Sequence, residues 1–307
     1  MSAIDVVCVA SWNVDLVSRV ARPIARGETL SSTHFDISPG GKGSNAAVAA
    51  ARQGARVGLI ARVGRDDFGR KGLDLWHAEG IDTTHVEEIE GERSGVAQIL
   101  VYDDGDNSIA VFSGATAGLA ARHAHAARAM LASCRVVMAS CEVPLAATIE
   151  AFRIAHENGA LTLLNPAPAQ PLSDELLGLV DVLIPNESEL RALAALAPDA
   201  PVAIDAAAQM LLARSTKALL VTLGAAGCSL YRRDETPNQV PGLHMAVVDT
   251  IGAGDTFTGT LAATLARGEP LLEAMRWANA AGGLSVTGRG ALGGMPSRAA
   301  VGALLRQ

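Results

Sequence analysis

A chain of 307 residues is long enough for one large α/β domain or two ordinary ones, and 49% hydrophobic residues with only 3% aromatics dictate an aliphatic, alanine-rich core. Such a core suits close helix-on-sheet packing more than a β-sandwich. The formal net charge of −7 excludes a general affinity for nucleic acid or an anionic membrane surface, though not a local basic pocket.

The first apolar run, Ile4–Val9, reads as a buried strand. Its surroundings, "MSAIDVVCVAS", lack a basic signal region and carry Asp5, so no secretory leader is expected. No apolar stretch approaches the roughly 20 residues that span a bilayer. Cys8, Cys134, Cys141 and Cys228 form no CxxC pair and read as small apolar side chains in a reducing, cytoplasmic setting. "SWNVDLV" follows directly, and strand alternation sends Asn13 and Asp15 to one face. The carboxyl end of a parallel strand is where ligands bind in open α/β sheets.

Asn13–Ile37 contains short alternating pieces rather than a helix. "SPGGKGSNAAVAAARQGA" then sets Gly40, Gly41 and Gly43 before a helix over Asn45–Gln53. Its spacing matches neither a Walker A loop nor the dinucleotide fingerprint. Lys42 and Asn45 can hydrogen-bond hydroxyls while glycine lets backbone approach; the alternative is a turn that needs positive φ. A strand at Val57–Val63 and a helix at Phe68–Glu79 follow. "GVAQILVYDDGDNSIAVF", Gly95–Phe112, reads as a hairpin around an Asp-Gly turn. With Asn13–Ile37 it makes either a β-lid over the strand ends or a merely structural extension.

Beyond it lie strands at Val136–Ala139, Leu161–Leu164, Val182–Ile184 and Leu219–Thr222, alternating with helices at Ala146–Asn158 and Ile204–Arg214. Near-continuous aliphatic strands alternating with helices imply a parallel sheet covered on both faces, joined by right-handed crossovers. Glu142, in "ASCEVP", follows a strand as Asn13 does; it either caps a neighbouring helix or joins Asn13 and Asp15 around a polyhydroxylated molecule. "NPAPA" and "IPNESEL" also follow strands. Asn186 and Glu189 share a face of an opening helix, where Glu189 orients phosphates or a magnesium-bound water, or simply enriches an acidic first turn. "VTLGAAG" is a strand with a glycine turn. His123 and His125 lie two apart in a helical region, hence on different faces, so no catalytic or metal-binding histidine is expected.

"VVDTIGAGDTFTG" carries the chemistry. Ala246–Val248 reads as a strand, Gly252–Gly254 as a turn and Asp255–Ala266 as a helix. Unpaired amides at such a junction gather an anion, and Asp255 puts a basic carboxylate beside it. Downstream, "ANAAGGLSVTGRGALGGMP" is glycine-rich after a helix and can offer carbonyls to an adenine or a cation.

Over almost the whole length these motifs, "NVD", "GGKGSNAAVAAARQGA", "LNPAPA", "PNESE", "VTLGAAG" and "DTIGAGDTF" in this order, resemble the ribokinase-like PfkB family of carbohydrate kinases. The resemblance implies an α/β fold, a ribokinase-like three-layer α/β/α sandwich with a mostly parallel central sheet. It implies a single kinase domain over 1–307, with a β-lid from about 12–38 and 94–113 that also forms a homodimer contact. The implied reaction moves the γ-phosphoryl group of MgATP to a sugar hydroxymethyl, the 5-hydroxyl for D-ribose. Alternatives are a kinase for deoxyribose, a ketohexose or a nucleoside, or a non-catalytic sugar-binding regulator.

On this resemblance Asp255 is the catalytic base, served by the amides of Gly252, Ala253 and Gly254. Asn13, Asp15, Gly41, Lys42, Gly43, Asn45 and Glu142 hold the sugar. Asn186, Glu189, Thr222, Gly224, Gly227, Gly254 and Asn279 hold ATP with its Mg2+. Asp249, Ile251, Ser285, Gly288, Gly290 and Gly294 hold K+, mostly through carbonyls. Three residues depart from the pattern: Gly294 stands in place of a serine, Asn279 in place of a histidine, and Trp12, just before Asn13, is expected to reshape the lid side of the pocket.

Overall fold

A computed structural model describes residues 4–197, 202–214 and 216–306. Its strands are β1 (Val6–Val9), β2 (Asn13–Arg19), β3 (His34–Gly40), β4 (Val57–Gly64), β5 (Asp82–Ile89), β6 (Gly95–Val101), β7 (Asn107–Phe112), β8 (Val136–Ser140), β9 (Leu161–Asn165), β10 (Val182–Leu183), β11 (Ala218–Thr222), β12 (Gly227–Tyr231) and β13 (Asn238–Pro241). The first six helices are α1 (Lys42–Arg52), α2 (Asp67–Ala78), α3 (Ala121–Ala126), α4 (Arg128–Ser133), α5 (Leu145–Glu157) and α6 (Asp174–Gly178). The rest are α7 (Glu187–Leu193), α8 (Ile204–Leu212), α9 (Ala253–Ala266), α10 (Leu271–Ser285), α11 (Gly290–Gly293) and α12 (Arg298–Leu304).

Nine strands form one sheet in the order β13-β12-β11-β10-β9-β8-β1-β4-β5, parallel except for β12 and β13 at one edge. Strand alternation divides its aliphatic residues between two cores. Val6 and Cys8 pack with the alanines of α1 and with Leu261 and Leu265 of α9. Val7 and Val9 face the other way, onto Phe152 and Ile154 of α5 and Leu131 of α4. The low aromatic content is legible here. A Cβ on Gly259 of α9 would collide with the Ala46 carbonyl, so glycine and the Ala46–Ala50 run let the two helices almost touch.

A second, four-stranded sheet in the order β3-β2-β6-β7 grows from the carboxyl ends of β1 and β5. Its β2 pairs antiparallel with β3 and parallel with β6.

The six strands and five helices read from sequence are present, with ends shifted by a few residues. One shift matters: α1 opens at Lys42 rather than Asn45, which makes Lys42 its first residue. Two expectations fail. Ala246–Val248 is no strand, because the amides of Val248 and Asp249 both donate to the single carbonyl of Val286, and a ladder cannot form. The glycine-rich stretch does not begin after the helix: Ala278–Ser285 is the last two turns of α10, with Gly282 and Gly283 inside it. The charged edge strand β5 and the pair β12–β13 carry weak alternation and escape a sequence reading.

Candidate active site

Gly252 caps α9 in the left-handed region (φ 77°), and a Cβ there would stand 2.8 Å from Ala291 Cα. Glycine is required at that position by both conformation and packing. Gly254 differs: nothing lies within 4 Å of where its Cβ would be, so its missing side chain leaves free space. That space belongs to a cavity of about 340 Å³ lined by Lys42, Asn165, Asn186, Glu189, Thr222 and the Thr250–Asp255 turn. One of the three expected amides is already engaged, since the Ala253 N–H donates to the Thr250 carbonyl at 3.3 Å. Gly252 and Gly254 remain at the positive end of the α9 dipole.

Asp255 is buried on the first turn of α9, and Asn45 Nδ2 donates to its Oδ2 at 2.9 Å. Burial pushes its carboxyl pKa up to about 6, against the opposing pull of Lys42 and the Asn45 hydrogen bond; Glu142 and Glu189 add to the rise. Asn45 Oδ1 is buried with no partner, an acceptor waiting for a donor.

Asn13 and Asp15 share a face of β2 as alternation requires, and Asn13 Nδ2 donates to Asp15 Oδ1 at 2.5 Å. Across the ladder Asn13 pairs with Gly40, where any Cβ would run into Asp15. Burial raises the Asp15 carboxyl to about 6; the Asn13 hydrogen bond opposes this, and Glu142 and Asp255 reinforce it. Lys42 stands among these groups. Burial alone would lower its pKa, yet Asp255, Glu142, Glu189 and Asp15 together raise it, so the ammonium is held charged. One cation among four carboxylates leaves the site net negative, suited to hydroxyl donors and to phosphates that arrive with their own cation.

The structure shows Glu142 in the first of the two roles raised by its position, as a helix cap. Its Oε2 accepts the Lys42 N–H at 2.8 Å and so caps α1, whose own N-cap, Gly41 (φ 91°), has no side chain to do so. It also accepts from Ser11 Oγ at 2.7 Å. Ser11 was not singled out from sequence; the only signal is a polar residue at the carboxyl end of a buried strand. Asn165, at the end of β9, was noted within "NPAPA" without a role and lines the cavity.

Asn186 and Glu189 form a reciprocal capping box: Asn186 Oδ1 accepts the Glu189 N–H at 2.8 Å, and Glu189 Oε2 accepts the Asn186 N–H at 2.9 Å. Both line the cavity while doing so. Nine of the expected sugar and nucleotide residues do not line it: Asn13, Asp15, Gly41, Asn45 and Glu142, placed above, and four more. Gly43 faces Ala10, with 2.6 Å between Ala10 Cα and a Cβ added at Gly43. Gly227 (φ 98°) lies against the Val240 carbonyl. Gly224 (φ 55°) opens a 3-10 turn with free space around it, and Asn279 Nδ2 donates to the Pro241 carbonyl at 3.0 Å. Trp12 does not wall the pocket. It is buried, donates Nε1–H to the Phe68 carbonyl at 3.0 Å and meets Trp76 edge-on at 5.3 Å, which ties the root of β2 to α2.

The six expected cation residues do gather. Asp249 accepts the N–H of Ile251 at 3.0 Å and of Gly290 at 2.8 Å, joining the two loops with both carboxylate oxygens. A Cβ on Gly288 would strike Gly294, and one on Gly294 would strike the Ser285 carbonyl. His123 Nε2 meets Glu87 Oε2 at 2.9 Å, and among the described residues no helix is long and apolar enough to cross a membrane.

Comparison with known proteins bears on this constellation directly. Residues 3–298 match the family model described as pfkB family carbohydrate kinase. A ribokinase of Haemophilus influenzae is 37% identical over 94% of this chain and 94% of its own length. A deoxyribokinase of Salmonella typhimurium is 34% identical over 95% and 96%. The structure of Arabidopsis thaliana ribokinase complexed with ribose and ATP superposes with a TM-score of 0.92 at 29% identity, covering 99% of both chains.

Proposed function

The chain belongs to the pfkB family of carbohydrate kinases, and we propose that it phosphorylates D-ribose with ATP, placing the γ-phosphoryl group on the 5-hydroxyl and releasing ADP. The observation that carries this is the junction at Gly252–Asp255: open space at Gly254, amides at the positive end of α9, and a buried carboxylate beside them.

Phosphoryl transfer is mostly positioning and electrostatic stabilisation of charge spread over the migrating group. The free amides of the Gly252–Gly254 turn and the α9 dipole supply that stabilisation where glycine leaves room. Asp255 takes the hydroxyl proton as the oxygen attacks. Its Asn45 hydrogen bond fixes which oxygen is engaged, Oδ2, and leaves Oδ1 for the substrate. Asn13, Asp15 and the unpartnered Asn45 Oδ1 take up sugar hydroxyls, with Lys42 nearby as donor.

Among the described residues no three His, Cys, Asp or Glu side chains converge as metal ligands. Glu189, which lines the cavity, would meet the Mg2+ that accompanies the ATP phosphates and neutralises their charge. The carbonyls of the 249–251 and 285–294 loops, which Asp249 joins beside the Gly252 turn, would hold K+ and so steady that turn. Residues 1–307 act as one kinase unit, with 12–38 and 94–113 as a lid, in the cytoplasm where ATP is available.

Both faces of that second sheet carry exposed apolar residues. Ile109 and Val111 lie on the Asp15 face, while Phe35, Ile37 and Phe112 lie on the other. An uncovered two-sided apolar sheet favours a second copy of the chain as its cover. The 2-deoxyribose reading is a competitor that a relative favours. ADP release measured across pentoses, 2-deoxyribose, hexoses and nucleosides decides; no sugar-stimulated release would overturn the proposal.

A further inference from the structure

We propose that Arg62 is a positioning residue for the acceptor site: it clamps the segment through which the second sheet re-enters the core and thereby fixes Trp12, Asn13 and Asp15. This rests on Asn13 and Asp15 being sugar ligands. Four chain crossings join that sheet to the core, at Trp12–Asn13, Gly40–Gly41, Ser94–Gly95 and Ser113–Gly114. They pack backbone on backbone. A Cβ on Gly95 would stand 2.5 Å from the Trp12 carbonyl, one on Gly41 2.8 Å from the Ser11 carbonyl, and one on Gly114 would strike the Arg93 carbonyl. A waist this tight passes displacement of one crossing to the others.

Arg62, on β4 below the waist, has a side chain only 7% exposed. Its Nη1 donates to the Ala115 carbonyl at 3.0 Å, its Nε to Glu87 at 2.8 Å and its Nη2 to Glu92 at 3.3 Å. A Cβ on Gly118 would overlap the guanidinium, so the Gly114–Gly118 turn is shaped around it. The residue after Ala115 reaches the sugar side. Thr116 Oγ1 accepts the Trp12 N–H at 3.4 Å and donates to the Trp12 carbonyl at 3.5 Å, bracketing the residue that leads into Asn13. Burying a charged fork here is expensive, and an aliphatic residue would serve a sheet core as well. The planar fork does what no apolar residue can: it holds a carbonyl and two carboxylates in one fixed arrangement.

The test compares Thr116→Val and Arg62→Lys with the wild type, varying ribose and ATP independently and recording thermal stability. A positioning role raises the ribose KM roughly tenfold in both, with the ATP KM within about twofold and kcat at saturating sugar within about threefold. The double variant should be no worse than the poorer single, because both break one chain of contacts. Thr116→Val nearly preserves shape, so it decides alone if Arg62→Lys does not fold. An unchanged ribose KM in a stable Thr116→Val, or a parallel fall in every kinetic constant, overturns the role of Arg62 and leaves the kinase assignment standing. A wild type without sugar-dependent ADP release overturns both.

Discussion

Asn45 and Asp255 stand 210 residues apart in the chain and meet side chain to side chain, Nδ2 to Oδ2 at 2.9 Å. The bond joins the first turn of α1 to the first turn of α9, and so the proposed acceptor pocket to the proposed phosphate cavity. It also holds a buried carboxylate that the protein would be more stable without.

Asp255→Asn keeps the shape and removes the base. Turnover should fall by roughly 10²–10⁴ while ribose binding, followed by calorimetry, changes little. Stability should move the other way. A folded-state pKa raised from 3.8 to about 6 means the native state binds the proton more tightly than the unfolded chain, so stability declines as pH rises through that window. Above it the ionised group costs on the order of 3 kcal/mol. The amide should therefore raise Tm at pH 7.5 by a few degrees. Turnover near the wild-type value would remove Asp255 as the base.

The same shift sets the acid limb of activity. The base must be ionised, and its raised pKa makes protonation begin well above the ordinary carboxylate range. Asp15, pushed to about 6 chiefly by burial, titrates alongside it. The kcat/KM for ribose should fall as pH drops through about 6, with loss of roughly tenfold or more by pH 5. A flat profile from pH 5 to 8 would contradict a base whose pKa is raised to about 6.

How much of this was legible in the sequence depends on how local each cause is. Asn13 and Asp15 could be placed on one face because strand alternation is a property of three residues. Asp255 could be placed at a helix start because the glycines mark it. Ser11 and Arg62 could not be found, since Ser11 meets Glu142 131 residues away and Arg62 meets the Ala115 carbonyl 53 residues away. Glycine identity says only that a Cβ is unwelcome, not what excludes it. At Gly227 the excluding atoms are the backbone of β13, whereas at Gly254 there are none. Ala246–Val248 failed for a related reason: three apolar residues look like a strand whether or not a neighbour with free carbonyls lies beside them.

That contrast between glycines gives a paired test. Gly254→Ala adds a methyl to open space near the start of a helix, so stability should hold or rise by up to about 1 kcal/mol. Its cost falls on the phosphate: the ATP KM should rise and kcat should drop, with the ribose KM little changed. Gly252→Ala forces a left-handed residue against Ala291 and should lower Tm as well. Wild-type kinetics for Gly254→Ala would show that the open space is not where phosphate sits.

Potassium dependence tests the loop that abuts the same turn. Asp249 spends both carboxylate oxygens on the amides of Ile251 and Gly290, so its charge stays close to the loop carbonyls proposed to hold the cation. Ordering these carbonyls orders Thr250–Gly252, the lead into the phosphate amides. ADP release at fixed ionic strength should therefore be faster in potassium than in tetramethylammonium, with the gain expressed mainly in kcat. Gly294→Ser should abolish that gain rather than enlarge it. The added Cβ strikes the Ser285 carbonyl, so the new hydroxyl comes only with displacement of the loop meant to hold the ion. Equal rates in the two salts for the wild type would remove the cation from the account; a larger potassium response in Gly294→Ser would show that the 285–294 loop yields where its packing says it cannot.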